Sequence, residues 1–288
     1  MSQPDEQPLP TTLVRPSPYE APLPAAAYAA AAGFTAGEVI GKTLKAWWKN
    51  VVPFTILSVV TMAPVVVWLV DFQRSLLAAQ ADPASFYRDG FGRFLGGFGV
   101  VWVVSMLLYV VALGAMTRGT FGYLRGERVS FGAMLTTGFG RGLPVVALAL
   151  VAWIAIMFAS ILLVFPGIML ACAWAASVPA AVVERIGPFQ ALSRSAELTR
   201  GVRWKVFAAF LALFGVLWGL SMGVQLAASA FAVLALPAEH APMGTLVVSQ
   251  LGTALFSCIP SVGCAVTYHE LRAAREGLDT AQLASVFE

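Results

Sequence analysis

The sequence predicts an all-α polytopic membrane protein with six transmembrane helices, and three observations carry that reading. Between Val51 and Tyr268 lie six long apolar stretches, none interrupted by a charged side chain, and a bilayer core takes about 20 apolar residues per helix. Of the 288 residues, 59% are hydrophobic and 11% charged, with a mean hydropathy of +0.79, whereas soluble domains carry roughly 25% charged residues. Lys and Arg gather on alternate connections between the stretches, the asymmetry that orients helices in a bilayer. Soluble folds of this length do not need so many helices that are hydrophobic all round.

The N-terminal segment is of another kind. Met1 to Tyr28 is rich in Pro, Gln and Ala and carries Asp5, Glu6, Arg15 and Glu20. Such a stretch buries too little apolar surface to offset its ordering entropy. Residues 1–33 are therefore expected to form a disordered Pro/Ala-rich cytoplasmic tail, and residues 34–288 the six-helix transmembrane domain. A secretory leader places a basic region before its apolar core; here Ala25 to Ala32 follows acidic residues, and no cleavage is expected.

Apolar length and flanking charge place the spans at Val51–Val70, Phe94–Met116, Leu143–Leu163, Ile168–Val183, Val206–Leu236 and Thr245–Tyr268. Phe165-Pro166-Gly167 is a turn signal, which predicts that the third and fourth spans form a tight hairpin. The fifth is too long for one perpendicular crossing and is expected to tilt or to end in an interfacial segment. Pro64, Pro179 and Pro260 are expected to bend their helices.

Orientation follows from the cations. Arg15, Lys42, Lys45 and Lys49 precede the first span; Arg118, Arg125, Arg128 and Arg141 lie between the second and third. Arg185, Arg194, Arg200, Arg203 and Lys205 follow the fourth, and Arg272 and Arg275 the sixth. The opposite side has Arg74, Arg88 and Arg93, balanced by Asp71, Asp82 and Asp89. Both termini are thus expected to be cytoplasmic. Trp47, Trp48 and Trp204 at inner boundaries and Trp68 at an outer one fit an aromatic belt. A net charge of +3 is too small and too dispersed for nucleic-acid binding.

An amphipathic segment precedes each odd-numbered span. In the first, Thr35 and Glu38 read as a capping box; Val39, Ile40, Thr43, Leu44 and Trp47 make an apolar stripe, with Lys42, Lys45 and Lys49 facing away. In the second, Ser130 caps, and Phe131, Met134, Leu135 and Phe139 form the stripe ahead of Arg141 and Pro144. In the third, Pro188 starts the helix, Phe189, Leu192, Ala196, Thr199 and Val202 form a mixed stripe, and Arg194, Glu197 and Arg200 stand at the spacing for side-chain pairing. The expected architecture is three pseudo-repeated units, each a cytoplasmic interfacial helix and a transmembrane hairpin.

The third segment carries a family resemblance. Glu184-Arg185-Ile186-Gly187-Pro188-Phe189-Gln190-Ala191-Leu192-Ser193-Arg194-Ser195-Ala196-Glu197-Leu198, continuing to Gly201 and Trp204, resembles the signature of the membrane domain of glycerophosphoryl diester phosphodiesterases and of its stand-alone bacterial relatives. Pro166-Gly167, Tyr268-His269-Glu270-Leu271-Arg272 and Glu276-Gly277 are similar to that family's other recurring elements, so that the resemblance covers roughly Thr35 to Leu283. It implies a multi-pass protein of a bacterial cytoplasmic (inner) membrane. It does not imply phosphodiesterase activity, because in two-part members catalysis belongs to a separate soluble barrel, and this chain has neither the length nor the motifs for one.

Candidate site residues follow from chemistry. A carboxylate at Glu184, at the end of the fourth span, is costly near hydrocarbon unless paired, and Arg194, Arg200 and Arg203 lie close by in sequence. These residues, with Tyr268 and Arg272, are expected to form a cytoplasmic polar clasp or to meet lipid headgroups. Each Lys or Arg near anionic lipid contributes roughly 1 kcal/mol. Gly215, Gly219, Gly223 and Ala227 put a small residue at every fourth position of the fifth span, which predicts close packing within the bundle, with a homodimer contact as the alternative. Gln225, Ser249, Gln250 and Thr253 are expected to hydrogen-bond between helices. Cys172, Cys258 and Cys264 sit in apolar stretches and read as packing residues, with no disulfide framework or metal spacing.

The function expected is a noncatalytic integral membrane module that organises lipids, including anionic phospholipids, or a partner protein or second copy, without cofactor or metal. The alternative is a transporter or passive conduit for a lipid-like or small neutral solute. The spans contain no ionisable residue for a proton or sodium relay. An intramembrane hydrolase needs a nucleophile and base at one depth, for which His269-Glu270 alone is weak.

Overall fold

A computed structural model describes residues 35–82, 87, 90–237 and 241–276; the expected tail lies outside them. Their regular elements are all helical: α1 (Ala36–Lys49), α2 (Val51–Ala81), α3 (Phe91–Leu124), α4 (Phe131–Gly140), α5 (Gly142–Leu162), α6 (Val164–Ala173), α7 (Ser177–Val183), α8 (Pro188–Leu198), α9 (Arg203–Ala235), α10 (Ala241–Phe256) and α11 (Ile259–Glu276). Six segments are long and apolar enough to cross a membrane: α2, α3, α5, α6 with α7, α9, and α10 with α11. Mid-span side chains such as Val67, Phe214 and Trp218 are 70%, 65% and 62% exposed. Apolar exposure on that scale requires a hydrocarbon surround.

Several helices depart from the lengths read in the sequence. The α9 helix keeps 33 residues in one piece, about 50 Å at 1.5 Å per residue, well beyond a hydrocarbon core of about 30 Å. The second span runs on past Met116 to Leu124, because its last three turns are packed from several sides and bury Thr117, Gly119, Thr120, Phe121 and Gly122. The hairpin between the third and fourth spans turns at Leu163, whose backbone is extended (φ −159°, ψ 131°), and not at Phe165-Pro166-Gly167. Pro166 instead occupies the first turn of α6, where its missing N–H costs nothing. Gly167 serves close approach: a Cβ there would stand 2.9 Å from the Cα of Ser160 in α5.

The fourth and sixth spans, read as continuous, are each broken. The chain leaves the helix at Trp174–Ala176 and resumes with Pro179 in the first turn of α7; it leaves again at Ser257–Cys258 and resumes with Pro260 in the first turn of α11. Pro64, by contrast, lies inside α2.

The helices close into a ring of three hairpins. Within the hairpins α2 packs on α3, α5 on α6 and α7, and α9 on α10 and α11. Between them α3 meets α5, α6 meets α9, and α10 returns to α2. Each amphipathic helix packs on the span that precedes it around the ring: α4 on α3, α8 on α7, and α1, closing the circle, on α11. The three inner ends α3, α7 and α11 also touch one another. The units thus share one arrangement. The core sits at this basic end, where Val39, Phe54, Met134, Leu198, Val206 and Leu271 are buried together.

Inward faces differ in part from the predicted stripes. In α1, Val39, Thr43 and Ala46 are buried; Lys42, at the flank of that face, reaches Glu270 rather than pointing away. In α4 the buried residues are Met134 and Gly138, while Phe139 is 69% exposed. In α8, Phe189 is exposed and Arg194 and Ser195 are buried. The expectation that Gly215, Gly219, Gly223 and Ala227 pack within the bundle is overturned, for all four are exposed and no neighbour stands near the glycines. The inward face of α9 is set by Val206, Ala209 and Leu213, and Gly215 lies two residues beyond Leu213, about 200° around the helix. Gln225 is also exposed, and Ser249 donates to the Leu246 carbonyl of its own helix at 3.0 Å, so neither makes the interhelical hydrogen bond expected of it.

Candidate functional site

The signature around Glu184 folds into α7, a sharp turn and α8. Pro188 fits the first helical position, and Gly187 N–H donates to the Gln190 side-chain carbonyl at 3.3 Å. The break in the fourth span frees backbone groups that would be costly if left unpaired in an apolar setting. Two hydroxyls of α8 satisfy them. Ser195 Oγ accepts from Ala176 N–H at 3.1 Å and donates to the Ala173 carbonyl at 2.8 Å. Thr199 Oγ1 donates to the same carbonyl at 3.1 Å. The sixth span is treated alike from α1, where Trp47 Nε1 donates to the Leu255 carbonyl at 3.2 Å, just before the break. The second span is unbroken, and α4 approaches it glycine to glycine: a Cβ on Gly114 would stand 3.0 Å from the Cα of Gly138.

Beneath these joints lie polar wedges, each formed by two inner ends and one amphipathic helix. The wedge between α7, α8 and α11 holds Glu184, whose side chain is 4% exposed, beside Arg194, 9% exposed. Arg194 Nε donates to both Glu184 oxygens at 3.1 and 3.3 Å, and its Nη2 bonds Glu276. Tyr268, fully buried, donates to Glu184 Oε1 at 2.6 Å. Arg272 donates through Nε to Glu276 at 2.7 Å and through Nη1 to the Tyr268 oxygen at 3.4 Å. Glu184, Arg194, Glu276 and Arg272 alternate in sign, and Glu197 adds a third carboxylate 3.9 Å from Arg194 Nη1. Such a cluster is rigid and chemically saturated, with no free base or nucleophile in it.

The wedge between α11, α1 and α3 holds a smaller pair. Lys42 Nζ donates to Glu270 Oε2 at 2.6 Å. His269 Nδ1 lies 3.1 Å from Glu270 Oε1. Phe121 of α3 packs edge-on to the rings of Tyr268 and His269, at centroid distances of 5.7 and 6.0 Å. The described hydrogen bond of His269 therefore runs to a carboxylate, and its ring meets an aromatic rather than a nucleophile.

Of the residues singled out from the sequence, Glu184, Arg194, Tyr268 and Arg272 meet in one cluster. Arg200 contributes its backbone carbonyl, which accepts from Arg275 Nη2, and the chain then turns at Gly201 with φ +81°. Arg203 stands apart, lining a cavity of about 290 Å³ with Met169, Arg200 and Trp204. Glu276, Ser195 and Glu270 were not selected from the sequence, and Thr199 was read only as part of an apolar stripe. A signal existed for two of them, since Ser195 and Thr199 stand four residues apart on one helical face. Cys172 and Cys258 are buried free thiols and Cys264 is half-buried. No metal-holding group of His, Cys, Asp and Glu occurs among the described residues.

Comparison with protein-family models, curated proteins and solved structures finds no match.

Proposed function

We propose that this chain is a noncatalytic module of a bacterial inner membrane, related to the membrane domain of glycerophosphoryl diester phosphodiesterases, that organises anionic phospholipid around its basic, cytoplasmic end. One observation carries the reading. Along the outer face of α1, Trp48 is 67% exposed beside exposed Lys45 and Lys49, and these residues with Leu44, Trp47 and Tyr123 line a cleft of about 570 Å³. Indole rings at headgroup depth next to ammonium groups are the chemistry of an interface with negatively charged lipid. The saturated cluster behind it favours a rigid scaffold over a reacting centre. Thermal unfolding in nanodiscs tests this: the protein should unfold at higher temperature in phosphatidylglycerol-containing discs than in pure phosphatidylcholine, and equal midpoints would refute it. Co-purification of one stoichiometric protein in place of any lipid preference would redirect the role to partner binding.

A second reading, a conduit for a lipid-like solute, is favoured by a cavity of about 700 Å³ between α2 and α3 at the opposite end. Valines and Trp68 line it, with Asp71, Arg74 and Arg93 at its polar edge, an arrangement suited to an amphiphile. Acceleration of labelled-lipid exchange between leaflets of proteoliposomes would select this reading.

A further inference from the structure

The third wedge, between α3, α4 and α7, flanks an open cavity of about 670 Å³, within the roughly 300–1,000 Å³ of small-molecule sites. Four arginines line it: Arg118 and Arg125 from the end of α3, Arg141 from the end of α4, and Arg185 from the turn after α7. No Asp or Glu is among the described residues that line it. Among the described residues none of the four guanidiniums makes a side-chain hydrogen bond or an ion pair. The hydroxyls of Thr136 and Thr137, also in the lining, donate to the Ala133 carbonyl of their own helix.

This is where the ring departs from its own pattern. The other two wedges bring their cations carboxylates from within, Glu184 and Glu276 for Arg194 and Glu270 for Lys42. Here four like charges line one cavity, and the described residues of its lining supply nothing opposite. Glu184 is adjacent to Arg185 in sequence but is turned to Arg194 and Tyr268. Arg185 also sits in the left-handed region, with φ 57°, a backbone conformation in which glycine would be unstrained. Residues held in this backbone region cluster at active sites and ligand clamps. Guanidinium forks match phosphate oxygens two at a time.

We infer that the cavity between α3, α4 and α7 is a binding site for a phosphate ester, presented by the headgroup of an anionic phospholipid or arriving as a soluble ester. It deepens the lipid-organising reading, and rests on it only for the source of the phosphate. The full-length protein is reconstituted in phosphatidylcholine nanodiscs with and without phosphatidylglycerol, and lipid retained on transfer to detergent is counted by native mass spectrometry. In parallel, detergent-solubilised protein is titrated with glycerol 3-phosphate and followed by thermal unfolding. The pair Arg118→Gln and Arg141→Gln is compared with wild type and with Arg128→Gln plus Lys205→Gln, which removes equal charge from exposed positions outside the cavity lining.

The expected result is retained phosphatidylglycerol, or saturable stabilisation by glycerol 3-phosphate, weakened about tenfold or more in the Arg118 and Arg141 pair and preserved in the Arg128 and Lys205 pair. Lipid retention alone assigns the source to the membrane; a response to glycerol 3-phosphate alone assigns it to a soluble ester. Arg185→Gly separates binding from folding, because glycine relieves the backbone: its ligand-free midpoint should not fall while its binding does. Equal binding by wild type and the arginine pair in both arms overturns the site. If phosphatidylglycerol still raises the midpoint of a non-binding wild type, the lipid-organising reading survives and the site falls. If wild type ignores phosphatidylglycerol yet binds glycerol 3-phosphate through these arginines, the site survives and that reading falls.

Discussion

The wedge at α7, α8 and α11 and the wedge at α3, α4 and α7 occupy corresponding places in the ring, and they treat positive charge in opposite ways. In the first, Arg194 is buried against Glu184 and Glu276, with Tyr268 and Arg272 completing the circuit. In the second, Arg118, Arg125, Arg141 and Arg185 surround an open cavity with no carboxylate among the described residues of its lining. One architecture, used more than once, has yielded a filled joint and an unfilled one. The difference separates charge that holds helices together from charge that is free to hold something else.

Removing a guanidinium from each wedge should therefore have unlike consequences. Arg194→Gln leaves the buried Glu184 without its cation, while Glu276 keeps Arg272, and unpairing a buried ion pair costs about 3–5 kcal/mol. Equilibrium unfolding in mixed detergent micelles should show that loss, and a cost under about 1 kcal/mol, the range of an exposed pair, would show that the cluster is solvated and the contrast false.

The joint above the cluster gives the next largest effect. Ser195→Ala removes both the acceptor for Ala176 N–H and a donor to Ala173, and leaving such buried groups unsatisfied costs about 1–3 kcal/mol. The same unfolding measurement applies. Because Ser195 makes no contact with the open wedge in the hydrogen bonds described, its loss should leave phosphate-ester binding unchanged while stability falls.

How much of this was legible beforehand depends on whether the deciding interaction is local. The six crossings were legible because apolar length is a property of contiguous residues. The caps at Thr35 and Ser130 were legible for the same reason, each hydroxyl accepting from an N–H three residues on. The breaks at Trp174–Ala176 and Ser257–Cys258 were legible in part, since Pro179 and Pro260 just beyond them signal an interrupted helix, whereas the groups that support each break, Ser195 and Trp47, come from elsewhere in the chain. Pro166-Gly167 was ambiguous in principle: Pro suits a turn and a first helical turn alike, and only the contact with Ser160 decides. The glycine stripe of α9 shows the same limit, because a four-residue period defines a face without saying where that face looks. Glu184 and Arg194 could be paired from chemistry and proximity in sequence. Glu276 and the uncompensated arginines could not, because cancellation of charge depends on which helix ends meet.

The wedge between α11, α1 and α3 offers a milder test of the same contrast. Lys42 is paired with Glu270 but its side chain remains 45% exposed, and exposed pairs contribute about 0–1 kcal/mol. Lys42→Gln should accordingly shift the unfolding midpoint slightly, by much less than Arg194→Gln. A loss as large as that of Arg194→Gln would mean that water is excluded from this wedge as well.

The smallest effect is expected where the charge is most concentrated. Arg118→Gln removes a half-buried guanidinium that has no carboxylate to desert and three neighbours of its own sign around the same cavity. In lipid-free detergent its unfolding free energy should stay within about 0.5 kcal/mol of wild type, with relief of like-charge repulsion setting the sign toward stabilisation. In discs containing phosphatidylglycerol the order should invert, because wild type gains stability from a bound anion in proportion to its occupancy and the variant forgoes part of that gain. A destabilisation of Arg118→Gln that is equally large with and without anionic lipid would make Arg118 a structural residue like Arg194, and the two wedges would then differ in shape alone.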